Sequence, residues 1–409
     1  MTPTKLLLPL ALALSLAIGG CSDSTSSPSD GGPDKTVGEA GPKPDGPRDG
    51  QPPTPDGPGS ETAPGDMTQP DTTPAGVPYL YVGETNARIS VYKVTPSDGT
   101  LSKVGDFKRN GSMSFLAFHP QKTHVYATIN NNVEGLALGS DGVPSSFVGE
   151  ASIGAKGTHL EVEPSGRYVL AVSYDGDAVA MFPLSPAVGA PMTAVYSKSG
   201  SSYCANAHQV RVHPSGRFAY VPCLGSDHIL VLGLDANQGK ITEGTPVSTQ
   251  SGAGPRHLDF HPTLDVAYVV NESDSTVNAY SVNTSSGALS EIQSISTLPS
   301  GTSNPSASSD IHVSPDGRHL YAINREPLDN IAIFSIDGQG KLAAVGHEST
   351  GGTHSRSFVI SADGKHVFVG NSKSKDVVTF SRASDGKLTK LRTESGFASN
   401  VWFVGLLYR

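Results

Sequence analysis

The sequence predicts an all-β fold, a seven-bladed β-propeller, and three observations predict it. A unit of two short strands around a Pro/Gly/Asp turn recurs six times, from "FLAFHPQKTHVYATIN" through "HLDFHPTLDVAYVVNE" to "SFVISADGKHVFVGNS". Its turn residues are Pro120, Pro164, Pro214, Pro262, Pro315 and Ala362, spaced by 44, 50, 48, 53 and 47 residues. The two ends of this region look like the missing halves of one more unit. No long segment carries the 3.6-residue apolar period of a helix.

Taken from its start, the 409-residue chain opens as a targeting segment. Met1 to Lys5 is short and positive, and Leu6 to Ile18 is apolar but too short to span a bilayer. Ile18-Gly19-Gly20-Cys21 follows the lipobox pattern of bacterial lipoproteins. That resemblance implies a signal over 1–21 and lipidation of Cys21, which would be the chain's only link to a membrane. Ser22 in place of Asp lacks the inner-membrane retention signal. The expected location is therefore the outer membrane and periplasm or the cell surface. Residues 22–77 are Pro, Gly, Ser, Thr and Asp with almost no large apolar side chain, so they read as a disordered tether. The tether holds ten acidic against three basic residues and accounts for most of the net charge of −9. No basic stripe appears anywhere, which argues against nucleic acid as a partner.

The propeller is expected over 78–409. In each repeat two alternating strands form a hairpin, as "QVRVHP" and "RFAYVPCL" do around Ser215-Gly216. A third strand follows ("HILVLGLD", "TVNAYSVN", "IAIFSID", "VVTFSRA"), then a Gly-centred turn and a weaker fourth strand. Six hairpins make six blades. "PYLYVGETNARISVYKV" lacks a first strand and "SNVWFVGLLYR" lacks a second, so pairing them supplies a seventh blade and leaves no open edge. Six or eight blades are the alternatives. Cys204 and Cys223 flank one hairpin, and the sequence allows either a disulfide or two buried thiols, the balance falling on thiols.

Polar residues gather at one place in the repeat. Six positions before the turn proline stand Ser114, Thr158, His208, Arg256, Ser309 and Arg356. One step later stand Phe115, His159, Gln209, His257, Asp310 and Ser357. Ten after it stand Asn130, Tyr174, Leu224, Glu272, Arg325 and Ser372. The strands are antiparallel, so these offsets share one end of each hairpin and converge at one mouth of the central channel. Three arginines, a glutamate and up to three histidines in one place mark a candidate functional site. Arg256 and His257 begin their strand because it starts at that mouth, where Gly252, Gly254 and Pro255 shape the approach. No P-loop, zincin motif or G-x-S-x-G elbow appears. His119, His213 and His261 read as turn structure at the far end, Asp227 as a turn holder and Trp402 as packing in the closing blade.

The stretches "GPRHLDFHP", "YVVNESDSTVNAYSV", "SSDIHVSPDGRHLYAINR" and "SRSF" resemble the lactonase family of seven-bladed propellers, which includes propeller-type 6-phosphogluconolactonases. The resemblance implies a site of His208, Arg256, Glu272 and Arg325, with Arg356 as a further anion contact. His257, Asp310 and Asn271 would join it in binding substrate. It also implies hydrolysis of a small anionic lactone with no cofactor and no metal; the sequence does not give the oligomeric state, and a monomer is the simplest expectation. Glu272 would activate water, and burial would have to bring its pKa near working pH against the pull of the arginines. His208, titrating near neutrality, would pass a proton. The arginines would stabilise the oxyanion or clamp an anionic group. Asp310 reads as a partner holding an arginine. A tethered propeller that binds an anion or a protein without catalysis is the alternative. A structural propeller is the third reading, in which Arg256, Arg325 and Glu272 merely pair with one another.

Overall fold

Seven antiparallel sheets follow one another along the chain in a computed structural model that describes residues 76–302 and 306–409. The expected leader, Cys21 and nearly all of the expected tether lie outside these residues. Blade one comprises Met113–Phe118, His124–Ile129, Asn132–Leu138 and Pro144–Ser152. Blade two begins at His159–Val162, blade three at Arg211–Val212, blade four at Pro255–Phe260, blade five at Ser308–Val313 and blade six at Ser355–Ile360. The closing blade joins Val401–Tyr408 to Pro78–Glu84, with Tyr79 opposite Leu407 and Tyr81 opposite Gly405. Its innermost strand contacts those of blades six and one, which shuts the ring as the sequence predicted.

The strand pattern explains the packing. The second strands are almost wholly buried because their two faces pack against the blades on either side. Tyr268, Val270 and Val277 of blade four thus meet Ile311, Leu320 and Ala322 of blade five. A polar tie recurs at these seams. A second-strand tyrosine donates its hydroxyl to the carbonyl of the glycine in the next blade's outer turn: Tyr126 to Gly189, Tyr220 to Gly287, Tyr268 to Gly340 and Tyr321 to Gly386, at 2.7 to 2.9 Å. Each such buried hydrogen bond is worth about 1 kcal/mol, and it fixes the angle between neighbours. The turn glycines stand at positive φ, as Gly287 does at 75°.

The innermost strands have a bare edge along the channel, and a second ring of bonds covers it. A side chain from one blade accepts an amide of the next. Glu161 takes Val212 N–H, Gln209 takes Leu258, Asp259 takes Val313 and Asp310 takes Phe358, at 2.7 to 3.0 Å. Buried amides need such partners.

Blade three departs from the others. Only Arg211 and Val212 join its first ladder, and a helical turn, Ser201–Cys204, precedes them. Cys204 is bonded to Cys223, with Cα atoms 5.0 Å apart, so the balance struck from sequence in favour of thiols is overturned. The Ala207 to Cys223 bridge brings the two segments edge to edge, which supplies the proximity that the sequence left open.

Candidate functional site

Of the row six before the turn, four residues face the mouth, while Ser309 is buried and donates its hydroxyl to the Ser355 carbonyl. Ser114, Thr158, His208 and Arg356 line one pocket of about 260 Å³, together with Tyr174, Glu272 and Arg325 from ten after it. Lys156, Asp175 and Trp402 complete its wall. Arg256 lines the smaller space just beneath.

Local backbone aims these groups. Asp227, in the left-handed region at φ 49°, accepts the amides of Gly252 and Gly254 at 2.7 and 2.9 Å. Gly254 needs φ +64° and passes against Ser273, so a side chain there would collide. This tight approach ends in Pro255 and delivers Arg256 into the interior, where it is 2% exposed. Its guanidinium donates to the Ser309 carbonyl of the next blade.

Glu272 sits between two guanidinium groups. Arg325 NH2 is 2.7 Å from Oε1, and Arg256 Nε is 2.8 Å from Oε2 although its N–H is not aimed at that oxygen. Arg325 Nε is fixed by the Ala307 carbonyl at 2.9 Å. Burial pushes the Glu272 carboxyl up, but Arg256, Arg325 and Arg356 outweigh it and leave it below its ordinary value. The near-neutral carboxyl that the role of base would need is thus not what this site holds. His208 departs too. Burial, then the charge of Arg256, pushes its imidazole well below the usual value, so it is neutral at pH 7 rather than titrating there.

Arg356 differs from the other two arginines. No carboxylate of the described residues pairs with it, and its guanidinium lies 4.5 Å from the Trp402 ring centre. Lys156 stands 5.5 Å from the same ring. Burial pushes Arg356 down to about 9, still charged at neutral pH. The pocket therefore carries more positive than negative charge. Trp402 is a wall of the site, not merely packing in the closing blade. The repeat could have revealed it: Ser357 bonds Val404 as Asp310 bonds Phe358, which puts Trp402 in the same row as Arg356.

The row one step later points the other way, because successive strand side chains alternate. Phe115, His159, Gln209, Asp310 and Ser357 line the channel below, a space of about 410 Å³. Asp310 holds histidines rather than an arginine: His257 Nδ1 at 2.8 Å and His312 Nε2 at 3.5 Å. Asn271 does not reach the pocket; its amide donates to Thr276 and Asn278 inside its own blade. His257 lies between the two levels, under the mouth. His119 and His261 hold the carbonyls of Gly166 and Gly317 at 2.9 Å, and His213 is bonded to Ser215 in its own turn.

Comparison with known proteins adds to this geometry. A family model described as lactonase, 7-bladed beta-propeller, matches residues 79–404. A 6-phosphogluconolactonase of Klebsiella pneumoniae is 30% identical over 289 residues, covering 69% of this chain and 85% of the relative. One from Erwinia tasmaniensis is 30% identical over 75% of this chain and 92% of its own length. Among solved structures, a putative 6-phosphogluconolactonase of Bacteroides fragilis superposes with a TM-score of 0.74 at 25% identity, covering 83% of this chain and all of that one. A periplasmic gluconolactonase of Pseudomonas aeruginosa gives 0.73 at 23% identity over 81% and 99% and shares the fold.

Proposed function

Since the chain belongs to the lactonase family of seven-bladed β-propellers, we propose that it hydrolyses a small lactone carrying a negative charge, at the mouth lined by Glu272, Arg325 and Arg356 with Arg256 just beneath. The observation that carries this reading is the unequal use of the three arginines. Two share the single carboxylate of Glu272, while Arg356 offers its donors to the pocket unpaired by any carboxylate of the described residues. A carboxylate or phosphate on the substrate matches that group in charge and fork geometry.

Ring opening needs a polarised carbonyl, an attacking water and a proton for the departing ring oxygen. Arg325 and Arg256 can hold the oxyanion, where fixed donors in a partly dry site contribute most. Glu272 keeps them in place and neutralises their repulsion. Water activation by Glu272 requires substrate first to draw an arginine away, because the paired carboxylate is held below ordinary basicity. The test is proton release from gluconolactone, 6-phosphogluconolactone and carboxymuconolactone, with Glu272→Gln as control. Turnover that depends on Glu272 and favours the charged lactones is expected. A wild-type rate no faster than the uncatalysed one moves the protein to the anion-binding reading.

We also propose that the chain is exported and held to a membrane through lipid on Cys21. The leader pattern supports this, and the disulfide suits an oxidising compartment. Recovery of Cys204 and Cys223 from cells as thiols would contradict it.

A further inference from the structure

Directly under the mouth lies a niche of about 30 Å³, polar-lined and roomy enough for water. Ser114, Thr158, His208, Arg256, His257 and Arg356 line it, with Phe115 and Trp402 as apolar walls. Five of these also line the mouth pocket, so the niche opens onto the space where substrate would sit. Glu272 does not line it.

His257 enters this niche with one nitrogen already committed. Nδ1 is 2.8 Å from Asp310 Oδ1, and both side chains are almost fully buried. Asp310 also accepts the amides of Ile311 at Oδ1 and Phe358 at Oδ2, so it is an acceptor held on three sides. A carboxylate so held accepts a hydrogen bond from Nδ1–H, which fixes the tautomer and leaves the Nε2 lone pair for the niche. His208 packs edge-on against the same ring at 5.1 Å, and its Nδ1 has no hydrogen-bond partner among the described residues.

We propose that the niche holds the attacking water and that His257, oriented by Asp310, accepts its proton. The inference rests on lactone hydrolysis at this mouth and moves one step of that reading from Glu272 to His257. Water oxygen bonds to the lactone carbonyl carbon as its proton passes to His257 Nε2. The carbonyl electron pair moves to the oxygen held by the arginines. Asp310 stabilises the imidazolium so formed. Collapse breaks the ring carbon–oxygen bond, and the departing alkoxide takes the proton back from His257. A hydroxy acid results, which releases one proton at neutral pH. Glu272 then serves to set the two arginines. His257 is a catalytic residue in this scheme and Asp310 a positioning residue.

The experiment follows kcat and KM of the full-length protein against pH, on whichever lactone of the panel it turns over. His257→Gln keeps a donor for Asp310 but has no base. Its kcat is expected to fall about 10²- to 10⁴-fold with KM little changed. Asp310→Asn is expected to move the acid limb of the kcat profile to lower pH. Burial first, then Arg256 and His312, bring the His257 imidazole down to about 4, and the bond to Asp310 is what keeps it from falling further; neutral His208 and His159 adjoin. A merely structural Asp310 would change stability and leave the limb in place. Circular dichroism and melting show whether each variant is folded, and added imidazole should restore part of the rate to His257→Ala. A folded His257→Gln with kcat within threefold of wild type overturns the dyad while lactone hydrolysis stands. An inactive wild type overturns both.

Discussion

The Cys204–Cys223 bond fixes the segment that carries His208, and removing it should be felt both in stability and in rate. The bond closes a segment with a sequence separation of 19 residues. Within that segment His208 N–H is bonded to the Pro222 carbonyl at 3.1 Å, next to Cys223. Loop-closure entropy for 19 residues gives ~3 kcal/mol at 25 °C. An unfolding entropy of ~2.1 cal/mol/K per residue, over roughly 330 residues, is ~0.7 kcal/mol/K. The double variant Cys204→Ala/Cys223→Ala should therefore melt ~4–5 °C lower. The first ladder of blade three is only two residues long, so the segment before it depends on this bond together with the Ala207–Cys223 bridge and the bond from the Asn206 amide to Asp177. A misplacement of about 1 Å costs up to about 10²-fold in rate, and kcat/KM should fall by ten- to a hundredfold. Scanning calorimetry and the proton-release assay measure both quantities. A melting point within 1 °C of wild type, with unchanged kcat/KM, would refute the argument that the bond braces the site.

Two further outcomes follow from the same geometry. Trp402 is the chain's single tryptophan and stands in the pocket wall, so its emission should respond saturably to a charged lactone or its hydroxy-acid product. Unchanged emission at concentrations that inhibit turnover would remove Trp402 from the site. Burial pushes His312 down, but Asp310 and Asp259 more than reverse it and raise the imidazole to about 10. Its contribution to stability is full below its unfolded value near 6.5 and is lost as pH rises through about 10. Melting temperature should thus fall more steeply between pH 7 and 10 in wild type than in His312→Gln, and equal slopes would contradict the pairing.

The propeller and the closing blade were legible because both rest on patterns the chain repeats. Alternation, turn residues and a period near 48 are properties of each blade alone, and a ring follows from their number. The mouth was legible in one row and not in the next. His208, Arg256 and Arg356 face the mouth or the niche beneath it, but Asp310 and Gln209 point down the channel. Which level a residue serves depends on strand alternation and on the partner across the seam, and only the first can be read locally. Asn271 was lost for a different reason: its amide is taken up inside its own blade, by Thr276 and Asn278. Trp402 escaped because the closing strand has no turn proline from which to count. Basicity was least legible of all. Glu272 and His208 owe their states to burial and to arginines converging from blades four, five and six, which no local pattern encodes.

The two levels of the channel explain how one short strand can serve fold and chemistry together. Below the mouth, Glu161, Gln209, Asp259 and Asp310 cap the bare edge of the following blade. These acceptors are required whether or not the protein catalyses anything, since unpaired amides at the axis would be costly. A carboxylate buried for that purpose needs a cation or a donor nearby, and Arg211, His312 and His257 supply it. His257 is the one of the three that also touches the niche under the mouth. The group that closes the edge of blade six is thereby the group that sets the tautomer of a histidine at the site. Orientation of His257 then needs no loop to order on substrate binding, because the ring that holds the blades together has already fixed it.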